Sequence, residues 1–146
     1  MSTIPPIAEL VPHAPPMILL DEMVDFAPGR ARCAVRLRPD SPFLENGRVR
    51  AVVAVEYMAQ AVAAYAGMCS HQDGKPPSIG FLLGTRELTL AVDFFQAGDA
   101  LAVDVEHVFG DDQLGSFRCS VRRGDEIVSE AVLNVYQHKG GGLPPV

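Results

Sequence analysis

The sequence has no tryptophan, and only three tyrosines and seven phenylalanines. So few aromatic faces leave little for a protein that binds nucleic acid by base stacking. Positive charge is also in the minority: 12 Lys and Arg against 18 Asp and Glu give a net charge of −6. The basic footprint of a nucleic-acid binder is therefore missing. Cysteine is sparse. Cys33, Cys69 and Cys119 lie far apart, with no CxxC pair and no Cys/His spacing suited to a metal. An odd, scattered set of thiols fits a reducing compartment, so a cytoplasmic location is expected. The first residues, MSTIPPIAEL, show no basic stretch running into an apolar one, and no signal peptide is expected. No glycine-rich nucleotide loop or metal-ligand cluster is present, so no metal and no redox cofactor are expected.

What the chain does have is enough apolar material for a core. It is 146 residues long, 48% hydrophobic and 21% charged. That composition folds, and the length suits one domain. The domain is expected over residues 1–138, with the Gly/Pro-rich 139–146 as a flexible tail.

The longest apolar stretch is Val49 to Met68, VRAVVAVEYMAQAVAAYAGM. It is long enough to span a bilayer, but it carries Arg50, Glu56 and Gln60 and has no second apolar segment to partner it. A helix apolar on all sides belongs in a soluble core, and no membrane is expected. Glu56 and Gln60 are four residues apart, on one helical face and one turn from each other. A carboxylate among Val, Ala and Met is costly unless it is paired, solvated or used. Glu56 is therefore a candidate for proton-transfer chemistry. Snorkelling to solvent or capping a nearby loop would also accommodate it.

Around that helix the pattern is of strands. Pro5-Pro6 opens a helical turn over Ile7 to Val11, and Pro15-Pro16 makes the next piece extended. Met17 to Phe26 reads as a strand ending at Pro28-Gly29. Arg30 to Arg38 alternates, with Arg30, Arg32, Arg36 and Arg38 on one face and Ala31, Cys33, Val35 and Leu37 on the other. The basic face is either solvated or a landing strip for an acidic partner. Pro39 to Gly47 and Ser70 to Pro77 are loops. Alternation returns over Ser78–Leu90, Leu101–Phe109 and Ser116–Arg122, and a turn at Arg123-Gly124-Asp125 leads into a last strand, Glu126 to Gln137. Leu101, Val103, Val105, His107 and Phe109 are expected on one face, opposite Asp104 and Glu106. One long helix and about six strands without βαβ alternation predict an α+β domain. A curved antiparallel sheet would wrap around the central helix.

Three runs carry a family resemblance. Leu10 to Phe26, LVPHAPPMILLDEMVDF, resembles the N-terminal Pro-His-x-x-Pro segment and first strand of the β-hydroxyacyl-(acyl-carrier-protein) dehydratases, which have the hot-dog fold. Glu56-Tyr57-Met58-Ala59-Gln60-Ala61 resembles their central-helix motif, and Asp93 to Asp99 the turn before their long outer strand. Pro12–Met17, Val55–Gln60 and Gly80–Arg86 (GFLLGTR) resemble more closely the divergent dehydratases of aryl-polyene gene clusters. The likeness spans nearly the whole chain.

That resemblance implies a hot-dog fold and dehydration of a β-hydroxyacyl thioester to the trans-2-enoyl thioester, in fatty-acid or aryl-polyene synthesis. The substrate arrives on the phosphopantetheine arm of acyl carrier protein, and no other cofactor is implied. It also implies at least a homodimer, with the acyl tunnel between subunits. Glu56 takes the catalytic carboxylate position and Gln60 orients it. Tyr57, Gly80, Phe81, Leu82, Gly84 and Arg86 fall in the substrate-binding runs. The main family's catalytic His lies in a His-Phe-Pro-Gly loop before the helix, where this chain has Leu44-Glu45-Asn46-Gly47-Arg48. His13 is the candidate replacement, since a His beside a Glu is the usual acid/base pair; a structural role bonding the loop is the alternative. His71, His107 and His138 are poorer candidates. Arg86 either holds a phosphate of the pantetheine arm or pairs with Glu45 or Glu87. Two rival functions remain open on the same fold: a thioesterase using Glu56, and a non-catalytic subunit.

Overall fold

The computed structural model describes residues 4–74, 79–110 and 114–138. Eight strands and one α-helix follow a short 3-10 turn at Ile7–Glu9. They run β1 (Glu22–Ala27), β2 (Arg30–Arg36), β3 (Arg48–Arg50), α1 (Ala54–Gln72), β4 (Ile79–Leu90), β5 (Phe94–Gln96), β6 (Ala100–Gly110), β7 (Leu114–Arg123) and β8 (Glu126–His138). Six of them form one antiparallel sheet in the order β1-β2-β6-β7-β8-β4. The other two, β3 and β5, pair with each other.

Helix α1 lies on the sheet, chiefly against β6, β2 and β7, with β1 and β8 flanking. Alternation in the strands supplies the floor: Ala31, Cys33 and Val35 from β2, Leu101, Val103 and Val105 from β6, and Phe117, Cys119 and Val121 from β7 are buried. The helix answers with Ala54, Tyr57, Met58, Ala61, Val62, Ala64 and Met68. With the 3-10 turn at Ala51–Val53 it is the one helix among the described residues long and apolar enough to cross a membrane, and half of its most apolar window is buried in this fold. Small residues let it sit close to its neighbours. Gly67 is packed directly under the backbone of Leu10, where a Cβ would collide with the carbonyl.

The expected α+β hot-dog layout is what the chain adopts; several boundaries differ. The helix begins at Ala54 rather than Val49, because Arg48–Arg50 is drawn into a ladder with Phe94–Gln96. There Val49 faces Phe95, both fully buried, and the Arg48 guanidinium lies 3.8 Å over the Phe94 ring. The helix ends at Gln72, one turn past Met68. Strand β1 starts at Glu22, not Met17, since the Met17 carbonyl and the Leu19 N–H are engaged by Gln60 rather than by a strand. Phe109 does not join the inner face of β6. The ladder slips between His107 and Phe109, and the bulge turns the Phe109 ring out, 76% exposed.

The basic face of β2 is largely neutralised. Arg30 meets Asp25, Arg32 meets Asp104 at 2.6 Å and Arg38 meets Asp21 at 2.6 Å. Asp104 lies directly across the ladder from Arg32, so the stripe is matched by its own neighbours. Residues 139–146 and the loop positions 75–78 lie outside the described residues.

Candidate active site

Gln60 holds the centre of the site. It is fully buried, and a buried amide must find partners for its carbonyl and its N–H groups. Its Oε1 accepts from the Leu19 N–H at 2.9 Å. Its Nε2 donates to the Met17 carbonyl at 2.7 Å and to Glu56 Oε1 at 3.0 Å. One side chain therefore ties the extended strap before β1 to the helix and to the helix carboxylate. Asp21 closes the far end of the strap. Its N–H donates to the Ala34 carbonyl, and its carboxylate accepts from the Arg36 N–H and from Arg38 Nη1.

The strap carries His13. Its Nε2 stands 3.8 Å from Glu56 Oε1, and the two side chains are 30% and 40% exposed. That separation is too long for a direct hydrogen bond and leaves space for a substrate atom to approach both. His13 Nδ1 is buried and has no hydrogen-bond partner among the described residues. So His13, Glu56 and Gln60 come together, on two elements far apart in sequence. Helix α1 has no side-chain cap, and neither does the 3-10 turn before it; the Ala51 N–H goes to the Asp93 carbonyl.

Tyr57 lies behind this pair. It is 2% exposed, its ring sits 6.1 Å from that of Phe95, and burial pushes its hydroxyl up to about 12. It is also one wall of a cavity of about 160 Å³ bounded by Ile18, Leu20, Val35 and Leu37, with Arg36 and Arg38 at the sides.

The GFLLGTR run is elsewhere. It lies in β4, at the edge of the sheet opposite β1, and β4 is not among the strands on which the helix rests. Gly80 and Phe81 pair with Gln137 and Tyr136, and their side chains lie outside the described residues. Leu82 and its neighbour Leu83 are exposed, Gly84 is half-buried, and Arg86 is exposed. Arg86 pairs with neither Glu45 nor Glu87, because Glu87 is turned by a bulge between Arg86 and Thr89. His71 is exposed at the helix end, and His107 stacks on Phe117 at 5.0 Å. The side chain of His138 lies outside the described residues. Among the described residues no group of three or more His, Cys, Asp or Glu could hold a metal ion. Sequence reasoning missed the role of Met17 and Leu19, whose backbone groups, not their side chains, engage Gln60.

A family model for ApeP dehydratases matches residues 5–141. The chain belongs to the ApeP-like dehydratase family. As an ApeP-like dehydratase it is similar throughout to the dehydratase heterocomplex ApeI:P from Xenorhabdus doucetiae. The TM-score is 0.89 with 28% identity, covering 94% of this chain and 93% of that one. A curated relative, the 3-hydroxyacyl-(acyl-carrier-protein) dehydratase FabZ of Natranaerobius thermophilus, is 27% identical over 139 residues, 91% of this chain and 95% of its own. An uncharacterised protein from Pyrococcus horikoshii has the same fold at 16% identity, with a TM-score of 0.67 over 94% of this chain and 97% of that one.

Proposed function

We propose that this dehydratase converts β-hydroxyacyl thioesters on acyl carrier protein to trans-2-enoyl thioesters, in fatty-acid or aryl-polyene synthesis. The observation that carries this reading is the approach of His13 Nε2 to Glu56 Oε1 at 3.8 Å, with both side chains partly exposed to solvent. Dehydration needs a group to remove the proton α to the thioester carbonyl and a group to protonate the departing β-hydroxyl. His13 and Glu56 supply the polar groups for both steps, and Gln60 orients Glu56 by donating to Oε1. The uncapped helix N-terminus offers backbone N–H groups and the positive end of its dipole to the thioester oxygen. The substrate brings the phosphopantetheine arm with it, and no further cofactor is needed for this chemistry.

The proposed working form is a dimer or higher oligomer in the cytoplasm. Strand β4 ends the sheet with an edge that no strand among the described residues pairs, and Leu82, Leu83, Leu88 and Leu90 on it are exposed. An open apolar edge is a template for another strand. A second subunit added there would bring a β4 run, with Tyr57's companions Gly80, Phe81, Leu82, Gly84 and Arg86, toward a site its own chain keeps at a distance. Arg86, free of any ion pair among the described residues, is the proposed contact for a phosphate of the arm. The related heterocomplex supports a subunit of the same fold as partner.

The test is mass spectrometry of the purified protein with a β-hydroxyacyl chain loaded on acyl carrier protein. Loss of one water, dependent on Glu56, supports the proposal. Release of free holo-carrier would assign a thioesterase instead, and an unchanged acyl carrier a non-catalytic subunit.

A further inference from the structure

We infer that His13 carries its single proton on Nε2 and acts as a hydrogen-bond donor, so that Glu56 alone removes and returns the proton in dehydration. This rests on the dehydratase reading above and divides the labour within its site.

The argument starts from the two ring nitrogens. Nε2 stands 3.8 Å from Glu56 Oε1, and the side chain as a whole is partly exposed. Nδ1 is buried without a partner among the described residues. A proton on Nδ1 would bury an unpaired N–H, which folded proteins tolerate less readily than an under-used acceptor. A doubly protonated ring would bury that same N–H with a charge on it. The proton therefore belongs on Nε2, where a carboxylate or a substrate oxygen can accept it. In that tautomer the nitrogen facing the substrate has no free lone pair. It cannot take the α-proton.

Glu56 has the capacity that His13 lacks. Gln60 Nε2 already donates to Oε1, and Oε2 is left for the substrate. In the first step the α-carbon gives its proton to Oε2, and the electrons of that C–H bond move toward the thioester oxygen as an enolate, to form the new Cα=Cβ double bond only as the β-oxygen leaves. In the second step the carboxylic acid passes the proton to the β-oxygen, the C–O bond breaks, and water leaves. Glu56 ends as the carboxylate it began as. Throughout, His13 Nε2–H donates to the β-oxygen and steadies its departure. The arrangement parallels sites where a neutral imidazole polarises an oxygen while a carboxylate moves the proton.

Two measurements decide this. Long-range proton–nitrogen NMR of histidine-labelled protein, with His13→Gln providing the assignment, should show the Nε2–H tautomer at the pH of the assay. An Nδ1–H tautomer or a doubly protonated ring overturns the inference. In the carrier-protein assay, His13→Gln keeps an N–H near the position of Nε2. It should retain activity within about tenfold, while His13→Ala and Glu56→Gln lose about 10²–10⁴-fold. Equal losses in His13→Gln and His13→Ala would make His13 a base and sink the inference. If the wild type dehydrates nothing, the dehydratase reading fails, and the tautomer spectrum still decides the state of His13.

Discussion

Gly67 and Leu10 touch backbone to backbone: the helix passes so close under the Leu10 carbonyl that no Cβ fits between them. Gly67→Ala should improve the intrinsic helix propensity by about 1 kcal/mol. It should nevertheless destabilise the protein, because overpacking against an immovable backbone group costs about 1–3 kcal/mol. Leu10 leads into the strap that carries His13, so turnover should fall as well. Urea denaturation and the carrier-protein assay on the same variant check both expectations. A variant as stable as the wild type would show that the strap can move away freely.

Gln60→Leu should be costly out of proportion to its size. It keeps the volume but strands the part-buried Met17 carbonyl and Leu19 N–H, and an unpaired polar group costs up to about 1–3 kcal/mol where water cannot reach it. It also frees Glu56 to rotate. The expected signature is a lower midpoint of denaturation with kcat reduced more than KM is raised. Loss of stability with unchanged kcat would reduce Gln60 to a strut.

Alkaline pH should weaken the fold in a defined window. Burial pushes the Cys33 and Cys119 thiols from 9.0 up to about 12, and the Tyr57 hydroxyl from 10.0 up to about 12. These groups stay neutral in the folded chain after they have ionised in the unfolded one. The unfolded state then holds fewer protons, so stability falls as pH rises. Their contribution is fully present below about 9 and is lost progressively toward 12. Each withheld proton steepens the fall by about 1.4 kcal/mol per pH unit. Cys119→Ala should remove one such increment and leave the alkaline slope shallower. An unchanged slope in chemical denaturation across this range would contradict the assignment.

Leu83→Lys should dissociate the proposed oligomer without unfolding the subunit. Leu83 is 60% exposed at the open edge of the sheet, so a charge there costs the subunit alone little. Light scattering should show a smaller particle, circular dichroism an intact fold, and the assay a loss of turnover. A monomer that keeps full activity would mean that the site is complete within one chain.

The architecture was legible because alternation and helical spacing report burial directly. Val103, Val105, Cys119 and Val121 point inward as their spacing predicts. The pairing of Glu56 with Gln60 was legible for the same reason, being a matter of one helical turn. The strand boundaries before the helix were not. Arg48–Arg50 looks like helix by composition, and only the distant Phe94–Gln96 recruits it into a ladder. Phe109 was misread because a bulge shifts the period without leaving a mark in the residue types. The partners of Gln60 were hidden for another reason: a carbonyl and an N–H are common to almost every residue, so their use at Met17 and Leu19 has no sequence signature.

The strap from His13 to Asp21 belongs to no sheet ladder or helix; a single glutamine pins its middle, and one aspartate its end. Such a segment can open while the sheet stays intact, since local opening draws on the least-bonded parts of a structure. When it opens, His13 leaves Glu56 and the chemistry stops, while of the apolar core only Leu20 and the flanking Ile18 and Leu19 are uncovered. Heat inactivation should therefore precede melting, which makes the catalytic rate a finer gauge of the strap than any spectroscopic measure of the fold.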